Sequence, residues 1–141
     1  MKMAKNRTVE ASGMIFGIGL DLVELEQIRQ TLERQPRIVK RVLTAEEQNR
    51  FYTLSDKRQL EYLAGRFAAK EAFVKAFGTG IGADVSWLDL EVLNEASGRP
   101  VMTGPFEGTI HLSITHSDHY AAAQVLLEKR SSDVSTNLDR N

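Results

Sequence analysis

The chain has 141 residues, of which 42% are hydrophobic and 26% charged, with a net charge of −1. That length suits one domain, and that balance excludes a disordered polyelectrolyte. Cysteine is absent, which excludes disulfides and thiolate metal sites and fits a cytoplasmic setting, and no apolar run is long enough to span a membrane.

Residues 1–13 read as an extraneous polar leader, without the apolar segment of a signal peptide. The folded domain is expected over 14–130, and the Ser-, Asp- and Asn-rich stretch 131–141 reads as a loose tail. Residues 14–22 (MIFGIGLDL) alternate as a strand, with Phe16, Ile18, Leu20 and Leu22 on one face. Gly17, Gly19 and Asp21 occupy the other face. Glycine inside a strand marks close approach by another backbone or a ligand, so Asp21 stands at the end of a bare track.

A helix is expected over 24–34, ending ahead of Pro36. Between Gln27 and Arg41 the basic residues Arg29, Arg34, Arg37, Lys40 and Arg41 face one acid, Glu33. Such an excess is either a solvated helix face or a surface for an acidic partner. Thr44-Ala45-Glu46-Glu47 is a capping box that starts a helix reaching about Thr53. Ser55 or Asp56 opens a longer helix over 57–77, with Gly78 as its stop. Strands follow over 88–93, 108–113 and 120–127, the last two joined by a turn at His116-Ser117-Asp118-His119. Helices first and antiparallel strands later predict an α+β domain, an antiparallel sheet packed against the long helix.

The long helix carries an apolar stripe of Leu60, Leu63, Ala64, Phe67, Val74 and Phe77, and Glu71 falls within it. A carboxylate there protonates unless a cation meets it, and the candidates are Lys75, one turn on, or a metal ion. Asp21 adds a second acid from a distant element, and two acids with room left for water and phosphate suit Mg²⁺. Arg66, Lys70 and Lys75 surround Glu71, and the helix ends in Gly78-Thr79-Gly80-Ile81-Gly82. Those glycines either admit phosphate to backbone amides or simply end the helix. The run follows a helix, so it is neither a dinucleotide fingerprint nor a Walker sequence. His111, His116 and His119 lack the cysteines of a familiar zinc set. His116 reads instead as a hydrogen-bond donor to phosphate, and Trp87 and Tyr120 read as core or edge-strand residues.

Phe16-Gly17-Ile18-Gly19-Leu20-Asp21, followed by Gly65-Arg66-Phe67-Ala68-Ala69-Lys70-Glu71-Ala72-Phe73 and Lys75-Ala76-Phe77-Gly78, resembles the holo-acyl-carrier-protein synthases. These are the short-chain group of 4′-phosphopantetheinyl transferases. Leu112-Ser113-Ile114-Thr115-His116, leading into Tyr120-Ala121-Ala122-Ala123, matches the same family's final strand pair. The resemblance runs from Met14 to about Glu128. It implies transfer of 4′-phosphopantetheine from coenzyme A to a serine of apo-acyl carrier protein, releasing 3′,5′-ADP, in support of fatty acid biosynthesis. It also implies that Asp21 and Glu71 bind Mg²⁺, with Glu71 and Lys75 at the reacting phosphate. Arg66, Lys75, Gly78, Gly80, Gly82 and His116 would surround the nucleotide. Arg34, Arg37 and Arg41, with Ile38 and Phe67, resemble a docking surface for the carrier. Members of the group are homotrimers with active sites between subunits, and a homotrimer is expected here.

Two other classes fit parts of the sequence. A non-catalytic binding module would use the same basic face without needing both acids, and a metal-dependent nucleotide hydrolase would not need the basic face. Nucleic-acid binding is disfavoured by the slightly negative charge and the lack of an aromatic stacking platform.

Overall fold

The computed structural model describes residues 13–78 and 84–130. The leader and tail fall outside them, apart from Gly13. Strand β1 (Ile15–Glu24) leads into α1 (Leu25–Arg34), α2 (Ile38–Val42), α3 (Ala45–Phe51) and the 22-residue α4 (Asp56–Phe77). A 3₁₀ turn (Trp87–Asp89) precedes β2 (Glu91–Asn94), β3 (Pro100–Thr103), β4 (Gly108–His116) and β5 (Tyr120–Lys129). The expected α+β architecture holds: an antiparallel sheet of order β1-β5-β4 carries α4 on one face, and β2 and β3 form a separate antiparallel pair.

The sheet is closed by its most distant strands in sequence, with Asp21 opposite Ala123 and Val23 opposite Ala121. On its inner face Ala123, Val125 and Leu127 pack on Ala68, Ala69, Ala72 and Phe73 of α4, while Ala121 joins Leu63 and Ala64. A second core gathers Leu25, Ile28, Val39, Val42, Leu43 and Phe51 around Leu63 and Ala64. Helix α4 therefore buries more than one side, and even Arg66 and Lys70 lie inside.

The glycines of β1 meet a backbone. A Cβ on Gly17 would sit 1.9 Å from the Ala76 carbonyl oxygen, and one on Gly19 would sit 1.9 Å from that of Ala72. The opposite face of β1 is open: Ile18, Leu20 and Leu22 are 59%, 63% and 64% exposed.

Local chemistry sets most boundaries. Helix α3 starts at the expected capping box, with Thr44 N–H donating to Glu47 Oε1 at 2.8 Å and Glu47 N–H to Thr44 Oγ1 at 3.3 Å. Gly78 ends α4 with φ of 95°, a left-handed value that glycine adopts without a Cβ penalty. Three differences from the sequence reading stand out. Helix α2 has no side-chain cap to announce it. The strand expected over 88–93 begins as the 3₁₀ turn and is extended only from Glu91. Strand β3 is four residues long and opens on proline, too short to show alternation.

Because Gly19 touches helix backbone, which cannot swing aside, Gly19→Ala should lower unfolding stability in urea by about 1–3 kcal/mol or more. Gly98→Ala, at a turn where nothing lies within 4 Å of the added carbon, should lose only about 1 kcal/mol, from its positive φ.

Candidate active site

Packing of α4 on the glycine face of β1 brings Asp21, Glu71 and Lys75 together. Lys75 Nζ donates to Asp21 Oδ1 at 2.9 Å and to the Leu20 carbonyl at 3.2 Å. The cation that the sequence offered to Glu71 thus meets the other acid. Asp21 is only 13% exposed, and its second oxygen, Oδ2, is buried with no hydrogen-bond partner among the described residues. Glu71 is half-buried beside it. Burial and the nearby Asp21 charge push the Glu71 carboxyl above its ordinary range, while Lys75 pulls the other way.

Two carboxylates held this close carry one more negative charge than the single Lys75 ammonium beside them offsets. Among the described residues no group of three or more His, Asp or Glu converges as a metal cage. A pair of carboxylates that leaves several positions to water and phosphate suits Mg²⁺, which keeps much of its hydration. The residues present therefore fit the metal that the resemblance implies.

Arg66 and His116 lie elsewhere. Arg66 stands five residues before Glu71, roughly 140° round the helix. Its guanidinium donates to Asn94 Oδ1 at 2.6 Å and covers the Tyr62 ring at 3.8 Å. Burial lowers its proton affinity. His116, at the end of β4, sits 3.1 Å from Glu61 of α4. Both residues line a cleft of about 880 Å³, together with Asn49, Arg50, Arg58 and Tyr62. The two groups flank opposite edges of the sheet, one at β1 and the other at β4.

Lys70 serves neither group. It is fully buried, and its ammonium donates to Glu47 Oε1 at 2.6 Å, the Val42 carbonyl at 2.6 Å and the Trp87 carbonyl at 3.2 Å. Burial holds its pKa below the usual lysine value, against the attraction of Glu47. The sequence reading that grouped Lys70 with Arg66 and Lys75 around Glu71 is corrected here. Its place within a solidly buried stretch of α4 is the signal that would have separated it. Glu61 and Asn94, which orient His116 and Arg66, carried no sequence signal, because their partners come from other elements.

Of the basic stretch, Arg29 is neutralised by Glu26 and Glu33. Arg34, Arg37, Lys40 and Arg41 are exposed and have no salt-bridge partner among the described residues. Ile38 and Phe67 lie beside them, half-buried against the second core. Gly78 is described; Gly80 and Gly82 lie outside the described residues.

A family model for the 4′-phosphopantetheinyl transferase superfamily matches residues 17–127. The chain belongs to that superfamily. It is 58% identical over 119 residues to the holo-(acyl-carrier-protein) synthase of Halalkalibacterium halodurans, covering 84% of this chain and 100% of the relative. The Bacillus subtilis synthase is 51% identical over 121 residues, with 84% and 100% covered. Among solved structures, the Bacillus anthracis holo-(acyl-carrier-protein) synthase in complex with coenzyme A (3′,5′-ADP) superposes with a TM-score of 0.79. It is 48% identical and covers 83% of this chain and 99% of that one. The Helicobacter pylori synthase in complex with coenzyme A gives a TM-score of 0.71 at 28% identity, with 79% and 99% covered. Every element of the phosphopantetheinyl transferase domain from β1 to β5 thus lies within, or nearly within, the matched span.

The raised proton affinity of Glu71 has a thermodynamic sign. The folded chain holds this proton to higher pH than the unfolded chain, so ionising Glu71 opposes folding. The penalty is absent below the ordinary glutamate value of 4.5 and grows as pH rises through the raised value. In metal-free protein, Glu71→Gln should therefore raise the melting temperature at neutral pH, and the gain should vanish on acidification below pH 4.5.

Proposed function

We propose that this chain is a holo-acyl-carrier-protein synthase, transferring 4′-phosphopantetheine from coenzyme A to a serine of apo-acyl carrier protein with release of 3′,5′-ADP. The observation that carries the reading is the Asp21–Glu71 pair with its orphaned Oδ2, in a chain that covers whole synthases from end to end. We assign the enzyme to the cytoplasm and to the supply of carriers for fatty acid biosynthesis.

Asp21 and Glu71 would hold Mg²⁺. Bound there, the metal supplies charge neutralisation to the pyrophosphate of coenzyme A. Lys75, more than half exposed while still touching Asp21, adds a positive charge at the same phosphate. The carrier serine oxygen forms a bond to the β-phosphorus, and the bond from that phosphorus to the bridging oxygen breaks. Glu71, beside the reacting phosphate, would receive the serine proton through a water relay. The leaving 3′,5′-ADP carries the bridging oxygen away.

Arg66 and His116, with the glycines Gly78, Gly80 and Gly82, are assigned to the nucleotide. Arg34, Arg37 and Arg41, around Ile38 and Phe67, are assigned to the acidic carrier. Separation of Arg66 and His116 from Asp21, Glu71 and Lys75, at opposite edges of one sheet, supports a site shared between chains. In a closed ring, the β1 edge of one copy meets the β4 edge of the next and joins the two halves. The exposed Ile18, Leu20 and Leu22 are the apolar surface that such a homotrimer covers.

Apo-acyl carrier protein incubated with this protein, coenzyme A and Mg²⁺ should gain one phosphopantetheine by intact-mass spectrometry, and chelator should abolish the gain. Asp21→Ala and Glu71→Ala should each remove activity while keeping the fold by circular dichroism; full activity in either overturns the metal assignment. Asp21→Ala and His116→Ala chains, inactive alone, should recover activity when co-expressed. Recovery should approach roughly a quarter of the wild-type rate, the chance that an interface takes its Asp21 half from a His116→Ala chain and its His116 half from an Asp21→Ala chain. No recovery means that each chain carries its own complete site.

A further inference from the structure

The 3₁₀ turn that carries Trp87 has no buried residue. The Trp87 ring stacks on Phe67, with centroids 5.0 Å apart and planes inclined by 27°. Both rings are half-buried, and with Ile38 they border the same core. The turn packs against α2, so the stack adjoins the helix that carries Ile38 and Arg41. Leu88, next in the chain, is 53% exposed.

The position of this turn is fixed from beneath. Lys70 Nζ binds the Trp87 carbonyl and the Val42 carbonyl at the end of α2, and Glu47 anchors the ammonium. The same Glu47 receives the Val92 N–H at 2.8 Å, fixing the chain that follows the turn. One buried ammonium thus sets α2 and Trp87 into a single surface. An aromatic pair held rigidly at a surface contributes contact area with little ordering cost, and tryptophan is enriched among residues that dominate interfaces.

We infer that Trp87 is a specificity-determining contact for the carrier, presented by Phe67 and by the Lys70–Glu47 pair as the apolar centre of the basic face. The inference rests on the transferase reading. Its occupant is an acidic helix with an apolar ridge. Arg34, Arg37, Lys40 and Arg41 supply positive charge that no acid among the described residues pairs. The acid nearest the ring in sequence, Asp89, is engaged by the Ser86 N–H at 2.9 Å. Charge would steer such a helix onto the face, and the ring would discriminate between helices of equal charge.

Trp87 is the single tryptophan of the chain, so its emission reports on this position alone. The probe is a tryptophan-free acyl carrier protein whose acceptor serine is replaced by alanine, titrated into wild-type protein and followed in parallel by calorimetry. Emission should change saturably, with a midpoint equal to the calorimetric affinity. Trp87→Ala should raise the carrier KM at least tenfold and leave the coenzyme A KM unchanged, whereas Trp87→Phe should retain most of the wild-type affinity. Calorimetric binding with unmoved emission overturns the inference alone, and so do equal shifts in both KM values. If Trp87→Ala does not fold, the wild-type titration and the Trp87→Phe kinetics still decide. Absence of heat with the carrier, together with absence of transfer to an unmodified carrier, overturns the transferase reading and this inference with it.

Discussion

Backbone contact between α4 and β1 is the constraint from which the candidate site follows. With no Cβ at Gly17 or Gly19, the helix carbonyls of Ala72 and Ala76 come to rest almost on the strand. At that separation the side chains that flank the contact must also meet. Glu71 and Lys75 border the carbonyls that touch the glycines, and Asp21 is two residues beyond Gly19. The proximity of Asp21 to Glu71, which raises the proton affinity of Glu71, is a by-product of close packing. A bulkier strand would hold the helix away and dissolve the pair, whatever the identity of the acids.

The Lys70–Glu47 pair plays the complementary role on the far side of α4. A buried ion pair gains little net stability over an apolar pair, because both charges lose their hydration. What this one does is geometric. Three donor contacts from one ammonium, to Val42, Glu47 and Trp87, join three chain segments that have few regular backbone hydrogen bonds with one another. The helix is thereby fixed in rotation between a strand of glycines and a buried charge. Glu71 faces Asp21 while its neighbour in sequence, Lys70, points about 100° away toward Glu47.

Much of this was legible in the sequence because it rests on local rules. The capping box at Thr44, the glycine stop at Gly78 and the alternation in β1 are statements about a few adjacent residues, and all three hold. The pairing of Asp21 with the long helix was legible as a possibility, since an acid in an apolar stripe demands a partner. Its details were not. Lys75 chooses Asp21 over Glu71 because the strand end lies within reach, a fact of tertiary distance. Arg66 and Lys70 looked like members of the same basic cluster, yet helical phase sends them to Asn94 and Glu47. Helix α2 and strand β3 were invisible because five and four residues are too few to show a period.

The pairing of β1 with β5 has a consequence for synthesis. Among the described strands β1 pairs only with β5, which is made much later, and contacts of such separation form slowly. Meanwhile the exposed row of Ile18, Leu20 and Leu22 is a sticky segment on an unpaired strand. Asp21 sits on that strand, so the β1 side of the candidate site lacks its sheet neighbour until β5 is in place. A polypeptide lacking β5 would leave that edge of β1 unpaired, so the order of the candidate site depends on a strand made long after its own residues.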